Sequence, residues 1–189
     1  PVWITETADA ACGGNPWAKT FLDSFRYLDQ LGRLAKRGVA VVFHNTLASS
    51  EYGLLDSTTF EPRPDYWAAL LWHRLMGTTV LDAGPSRPGL HLYAQCTPEH
   101  PGGVTLLAIN NSRDRAGALN LPMESARYTL SAPQLKSTTV SLNGKPLALE
   151  SADALPPLTG VPTAAGQIKL APATITFFTF ANARNPQCH

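Results

Sequence analysis

The sequence predicts two architectures in succession, an α/β segment over residues 1–81 and an all-β segment over residues 82–189. Three observations carry this. Two apolar runs alternate with two stretches of helical periodicity before residue 82. After Asp82 the chain turns to short strand-like runs broken by Gly, Pro and Asn-Gly signals. The composition, 44% hydrophobic against 15% charged, is that of a folded chain and not of a disordered one.

Residues 2–6 form a short apolar run that ends in Glu6. The chain meets this run directly at Pro1, with no lead-in, which reads as a processed chain or a fragment. A Gly-rich turn follows, Cys12-Gly13-Gly14-Asn15-Pro16. Phe21, Phe25, Leu28, Leu31 and Ala35 then recur at steps of three and four, the spacing of an amphipathic helix. Lys36-Arg37-Gly38 suits its C-terminal end. Val39-Ala40-Val41-Val42-Phe43 is uninterrupted, the pattern of a strand buried on both faces. A polar loop covers 44–62, and a second helix spans 64–76 with Pro64 near its first position.

Apolar strands alternating with helices imply a parallel sheet covered by helices. Two strands cannot complete one, so residues 1–81 read as the closing strand-helix units of a barrel. Beyond Asp82, strands are expected at Leu90–Gln95, Val104–Asn110, Tyr128–Ser131, Thr138–Leu142, Ile168–Leu170 and Thr174–Phe180. Gly102-Gly103, Asn143-Gly144 and Pro156-Pro157 mark turns, and the spacing is that of an antiparallel β-sandwich.

A formal charge of +1 offers no electrostatic footprint for nucleic acid. No apolar run approaches the roughly 18 residues of a membrane span. Cys12, Cys96 and Cys188 lack the spacing of a zinc or redox motif. They are either three idle thiols or one long-range disulfide with a thiol left over. The histidines, His44, His73, His91, His100 and His189, show no ligand spacing, so no metal and no cofactor is expected. Asn110-Asn111-Ser112 satisfies a glycosylation sequon.

Glu6 is the first candidate for chemistry, because catalytic groups of a barrel sit at the carboxyl ends of its strands. Asn45, Glu51, Tyr52 and Asp56, in the loop after the next strand, would lie beside it. Amide and aromatic side chains at such a mouth suit sugar recognition. His44, near a strand end, reads as structural, and Trp72 and His73 as packing or surface residues of the second helix.

Val2-Trp3-Ile4-Thr5-Glu6-Thr7, Cys12-Gly13-Gly14, Tyr52-Gly53-Leu54-Leu55-Asp56 and Pro64-Asp65-Tyr66-Trp67 resemble the heparanase-like enzymes of glycoside hydrolase family 79. His91–Cys96, Val104–Asn110, Leu155–Leu158 and Phe177–Cys188 extend the resemblance through the second half, in the same order. It implies the last units of a (β/α)8 barrel followed by a β-sandwich, and a retaining β-glucuronidase acting on heparan sulfate or a related polysaccharide. Glu6 matches the nucleophile. Cys12 and Gly13 match the loop that holds the uronate carboxylate, Tyr52 a tyrosine that hydrogen-bonds the same group, and Asn45 a residue lining the subsite. Cys96 and Cys188 match a disulfide of the sandwich, leaving Cys12 free.

Two departures stand out: Cys12 replaces a glycine, and the loop before Tyr52 is shorter. The shorter loop bears on whether the action is endo or exo. The acid/base of the family lies on the fourth barrel strand, upstream of Pro1. The resemblance therefore implies an N-terminal partner chain that supplies it, and a secreted or periplasmic location. Lys19, Arg26, Arg33, Lys36, Arg37, Arg63 and Arg74 form no obvious cluster at Glu6, so either a basic groove for a polyanion comes largely from that partner or the substrate is less sulfated than heparin.

Overall fold

The computed structural model describes all 189 residues, the side chain of Ala152 excepted. The chain forms two compact units. The first comprises residues 1–70, 132–141 and 146–157, and the second residues 71–131, 142–145 and 158–189.

In the first unit, β1 (Val2–Thr7) and β2 (Val39–His44) are parallel neighbours, joined by α1 (Phe21–Lys36). Their register pairs Ile4 with Val42 and Thr7 with His44, so both carboxyl ends finish side by side. The periodic residues of α1 do what their spacing predicts: Phe21, Phe25 and Leu28 are buried, with the Phe21 and Phe25 rings edge-on at 5.0 Å. Gly38, at φ +77°, follows its last turn, where the left-handed region favours glycine.

The N-terminus of α1 is finished from far away in the sequence. Thr20 makes no side-chain cap. Instead the Phe21 and Leu22 amides donate to the carbonyls of Ser137 and Leu135 at 2.9 and 2.7 Å. Helix-entry N–H groups have no partner within the helix, and this returning segment supplies one to each. The strand expected at Thr138–Leu142 is reduced to β8, Ser141–Leu142.

The expectation that β2 is buried on both faces does not hold within this chain. Phe43 is 50% exposed, and on β1 Trp3 is 55% exposed. Each strand of a two-stranded sheet has a single neighbour, and the crossover helix covers one face only.

α2 runs from Pro64 to Leu75, with Trp67 and Ala68 buried, and the chain passes from one unit to the other within it. The second unit contains β3 (Val80–Leu81), β4 (Leu90–Cys96), β5 (Val104–Asn110), β6 (Gly117–Leu121), β7 (Ser125–Ser131), β10 (Val161–Thr163), β11 (Gly166–Leu170) and β12 (Thr174–Phe180). The short β8 and β9 (Lys145–Pro146) flank Asn143-Gly144, both at positive φ, as an Asn-Gly hairpin requires. The main sheet has the order β3-β4-β5-β12-β7-β8-β9, with β10 on β7, and β6 and β11 form a second, two-stranded sheet. Leu90, Ala108, Phe178 and Phe180 of the main sheet cluster with Leu121 and Leu170 of the small one. Alternate residues of a strand face one way, so Phe178 and Phe180 share this face while Ile175 and Phe177 are buried on the other.

Strand β6, Gly117-Ala118-Leu119-Asn120-Leu121, is absent from the sequence reading, because Gly, Ala and Asn are poor strand formers. Pairing with β11 along its whole length makes it one. The Cys96–Cys188 disulfide is formed, and Cys12 is free and exposed. Asn110, the sequon asparagine, is 1% exposed and donates its amide to the carbonyls of Arg115, Leu170 and Ala171. It is a buried structural amide and cannot carry a glycan in this fold.

Candidate active site

The parallel pairing of β1 and β2 brings Glu6 and Asn45 together. The Asn45 backbone amide donates to the Thr7 carbonyl at 2.8 Å, extending the ladder by one step. Its side-chain amide then donates to Glu6 Oε1 at 2.7 Å. One carboxylate oxygen is fixed by a neutral donor and the group stays exposed, which suits a carboxylate that acts on a ligand.

Cys12, Gly13 and Gly14 form a turn with φ of +60°, +85° and +94°. Cys12 holds a conformation that costs an L-residue roughly 1–2 kcal/mol relative to glycine. Against this turn lies Glu51: its Oε2 is 3.5 Å from the Gly14 amide and 3.2 Å from Ser50 Oγ. A Cβ at Gly13 would meet that oxygen at 2.7 Å, and the φ of +85° favours glycine there whatever Glu51 does. The Glu51 carboxyl is held below the usual carboxylate range by its own backbone N–H, the Gly14 N–H and the Ser50 hydroxyl.

The loop carrying Glu51 and Tyr52 is organised by Arg63. Its Nη1 donates to the carbonyls of Ser50, Glu51 and Gly53, at 2.8, 2.6 and 3.3 Å, and its Nη2 to Asp56 Oδ2 at 3.1 Å. Asp56 Oδ1 accepts from the Thr58 and Thr59 amides. Those two N–H groups, then Arg63, hold its carboxyl far below the ordinary range. Asp56 is thus a loop-shaping residue. Tyr52 is 8% exposed, and its carbonyl accepts from His44 Nε2 at 2.7 Å. That bond fixes the Nε2–H tautomer, burial pushes the His44 pKa down, and the ring packs edge-on against Tyr27. His44 is a neutral structural imidazole.

Beneath the strand ends lies a buried acidic cluster. Asp23 and Asp9 both pair with Arg26, which also donates to Gln30, and Gln30 donates in turn to Thr7 Oγ1 at 2.8 Å. Asp65, on α2, accepts from Ser24 Oγ at 2.6 Å. Burial, followed by Asp23, pushes the Asp65 carboxyl well up, and its Oδ2 has no donor to accept from. A proton on Oδ2 turns that orphan acceptor into a donor. Tyr27, buried and near Asp65, is pushed up to about 12.

Glu6, Asn45 and the turn at Cys12–Gly14 with Glu51 were all legible as candidates. Arg63 and Asp65 were not, because no local pattern marks a residue whose partners include groups such as Ser50, 13 positions away, or Ser24, 41 positions away. Arg26, Arg33 and Arg63 are committed to Asp23, Asp29 and Asp56, and so form no groove of free cations. Among the described residues, no group of three or more His, Cys, Asp or Glu is placed to hold a metal ion.

Solved structures that this chain resembles are barrel glycoside hydrolases. One, a 4-O-α-L-rhamnosyl-β-D-glucuronidase from Fusarium oxysporum, superposes with a TM-score of 0.73 at 15% identity, over 95% of this chain and 43% of that one. No protein-family model matches. By sequence the chain is heparanase-like. It is 35% identical to heparanase from Bos taurus over 99% of its own length, and 32% identical to inactive heparanase-2 from Homo sapiens over the same share. It is also 32% identical to baicalin-β-D-glucuronidase from Scutellaria baicalensis over 93%. The chain spans little more than a third of the length of these relatives: 37%, 36% and 35%.

Proposed function

We propose that this chain is the C-terminal portion of a retaining glycoside hydrolase that cleaves β-glucuronide linkages, in heparan sulfate or a related polysaccharide. The observation that carries the reading is Glu6 at the carboxyl end of a parallel strand, held by Asn45 from the end of its neighbour. In this reading residues 1–81 close a (β/α)8 barrel and residues 82–189 form the attached β-sandwich. Glu6 attacks the anomeric carbon while an acid/base carboxyl group protonates the departing glycosidic oxygen. Water, deprotonated by that same group, then hydrolyses the glycosyl ester on Glu6. Cys12, Gly13 and Tyr52 line the uronate end of the subsite.

Retention requires the second carboxyl about 5–5.5 Å from the nucleophile. Asp9 is held by Arg26 and Asn15, and neither Asp9 nor Glu51 matches the acid/base of the family. On the family resemblance, the acid/base comes from an N-terminal partner chain, which also covers β1 and β2. The disulfide fits an oxidising compartment, and hence a secreted or periplasmic protein.

Two further readings have support. Similarity to baicalin-β-D-glucuronidase favours exo action on small glucuronides, and similarity to inactive heparanase-2 favours a glycan-binding protein without turnover. The assembled two-chain protein and its Glu6→Gln variant are assayed on heparan sulfate and on an aryl glucuronide. Shortened polysaccharide, abolished by Glu6→Gln, is the expected result. Turnover of the aryl substrate alone favours exo action, and an unchanged rate in Glu6→Gln removes the nucleophile assignment.

A further inference from the structure

We infer that Glu51 sets the affinity of this site for charged sugars: its carboxylate occupies the place on the Cys12–Gly14 turn that a substrate carboxylate takes, so the two compete. The inference rests on the glucuronidase reading above. Two contacts and one close approach carry it. Glu51 Oε2 faces the Gly14 amide at 3.5 Å and Ser50 Oγ at 3.2 Å, and it sits where a Cβ on Gly13 would stand only 2.7 Å away. The turn thus already holds a carboxylate supplied by the chain itself.

Glu51 is exposed and its side chain can rotate aside. A glucuronide must then displace it and dock with a second negative charge close by. A glucoside, with a hydroxymethyl group in place of the carboxylate, meets neither obstacle. Arg63 binds the backbone carbonyl of Glu51 and leaves its side chain free to move. The residue therefore acts as a built-in competitor that weakens uronate binding and narrows the preference for it over neutral sugars.

The test uses the complete assembled enzyme with an aryl β-glucuronide and the matching aryl β-glucoside, and measures glucuronic acid binding by calorimetry. Glu51→Gln keeps the shape and removes the charge, and Glu51→Ala vacates the site. The expected result is a glucuronide KM about tenfold lower in Glu51→Gln, the factor that 1.4 kcal/mol represents, and lower again in Glu51→Ala. The glucoside KM stays unchanged. A glucuronide KM that is unchanged or raised in both variants overturns the inference. Without wild-type turnover of the glucuronide, tighter glucuronic acid binding by Glu51→Ala supports competition while removing the glucuronidase reading. No turnover and no change in binding overturns both.

Discussion

The side-chain amide of Asn45 donates to Glu6 Oε1 at 2.7 Å, across the carboxyl ends of two parallel strands. It aims the carboxylate without adding charge. Asn45→Ala removes that aim, and a hydrogen bond to a charged group is worth about 1.5–3 kcal/mol. In the assembled enzyme kcat should fall roughly 10- to 100-fold on an aryl glucuronide. Asn45→Asp should fall further, because it sets a second carboxylate against the first. Equal kcat in wild type and Asn45→Ala would remove the positioning role.

Arg63 ties the mouth loop together through three carbonyls and Asp56. Arg63→Ala leaves those carbonyls without their donor and should cost about 2–4 kcal/mol, read as a lower denaturant midpoint. Asp56→Asn should shift the midpoint less than Arg63→Ala, since that side chain is more exposed than Arg63 and its pairing is screened by solvent. Glucuronide KM should also rise in Arg63→Ala, as the segment carrying Tyr52 loosens. A midpoint shift with KM unmoved would confine Arg63 to stability.

Asp65 predicts the sign of a pH dependence. Burial and Asp23 hold its carboxyl well above the ordinary range, while Arg26 opposes that shift and Asp9 lies on the same arginine. Between the unfolded and folded pKa values the native state binds more protons. Its contribution is therefore fully present below the unfolded value and lost as pH rises through the folded one. Asp65→Asn mimics the protonated acid, so the variant should lose this downward slope and match or exceed wild type at neutral pH. Denaturation at a series of pH values checks it; parallel profiles would show that Asp65 does not hold the proton.

The Cys96–Cys188 disulfide closes a loop with a sequence separation of 92. Replacing both cysteines by serine should lower stability by about 2–4 kcal/mol. Substituting both avoids leaving a partner thiol to exchange with the exposed Cys12. Equal midpoints for wild type and double variant would show that the crosslink adds nothing to stability.

The sequence by itself determined the elements whose signals are local. The three- and four-residue spacing of Phe21, Phe25 and Leu28 gave α1, the run Val39–Phe43 gave β2, and Asn143-Gly144 gave the hairpin. Glu6 was legible as well, because its place at a strand end follows from the run before it. Only the tertiary structure decided that Ser137 and Leu135 complete α1, that Glu51 rests on Gly13 and Gly14, and that Asp65 lies against Asp23. It also turned Asn110 from a sequon into a buried amide. The reason is physical. Helical and strand periodicity are properties of neighbours along the chain, whereas a buried hydrogen bond or a shared proton depends on which distant groups the fold leaves facing each other.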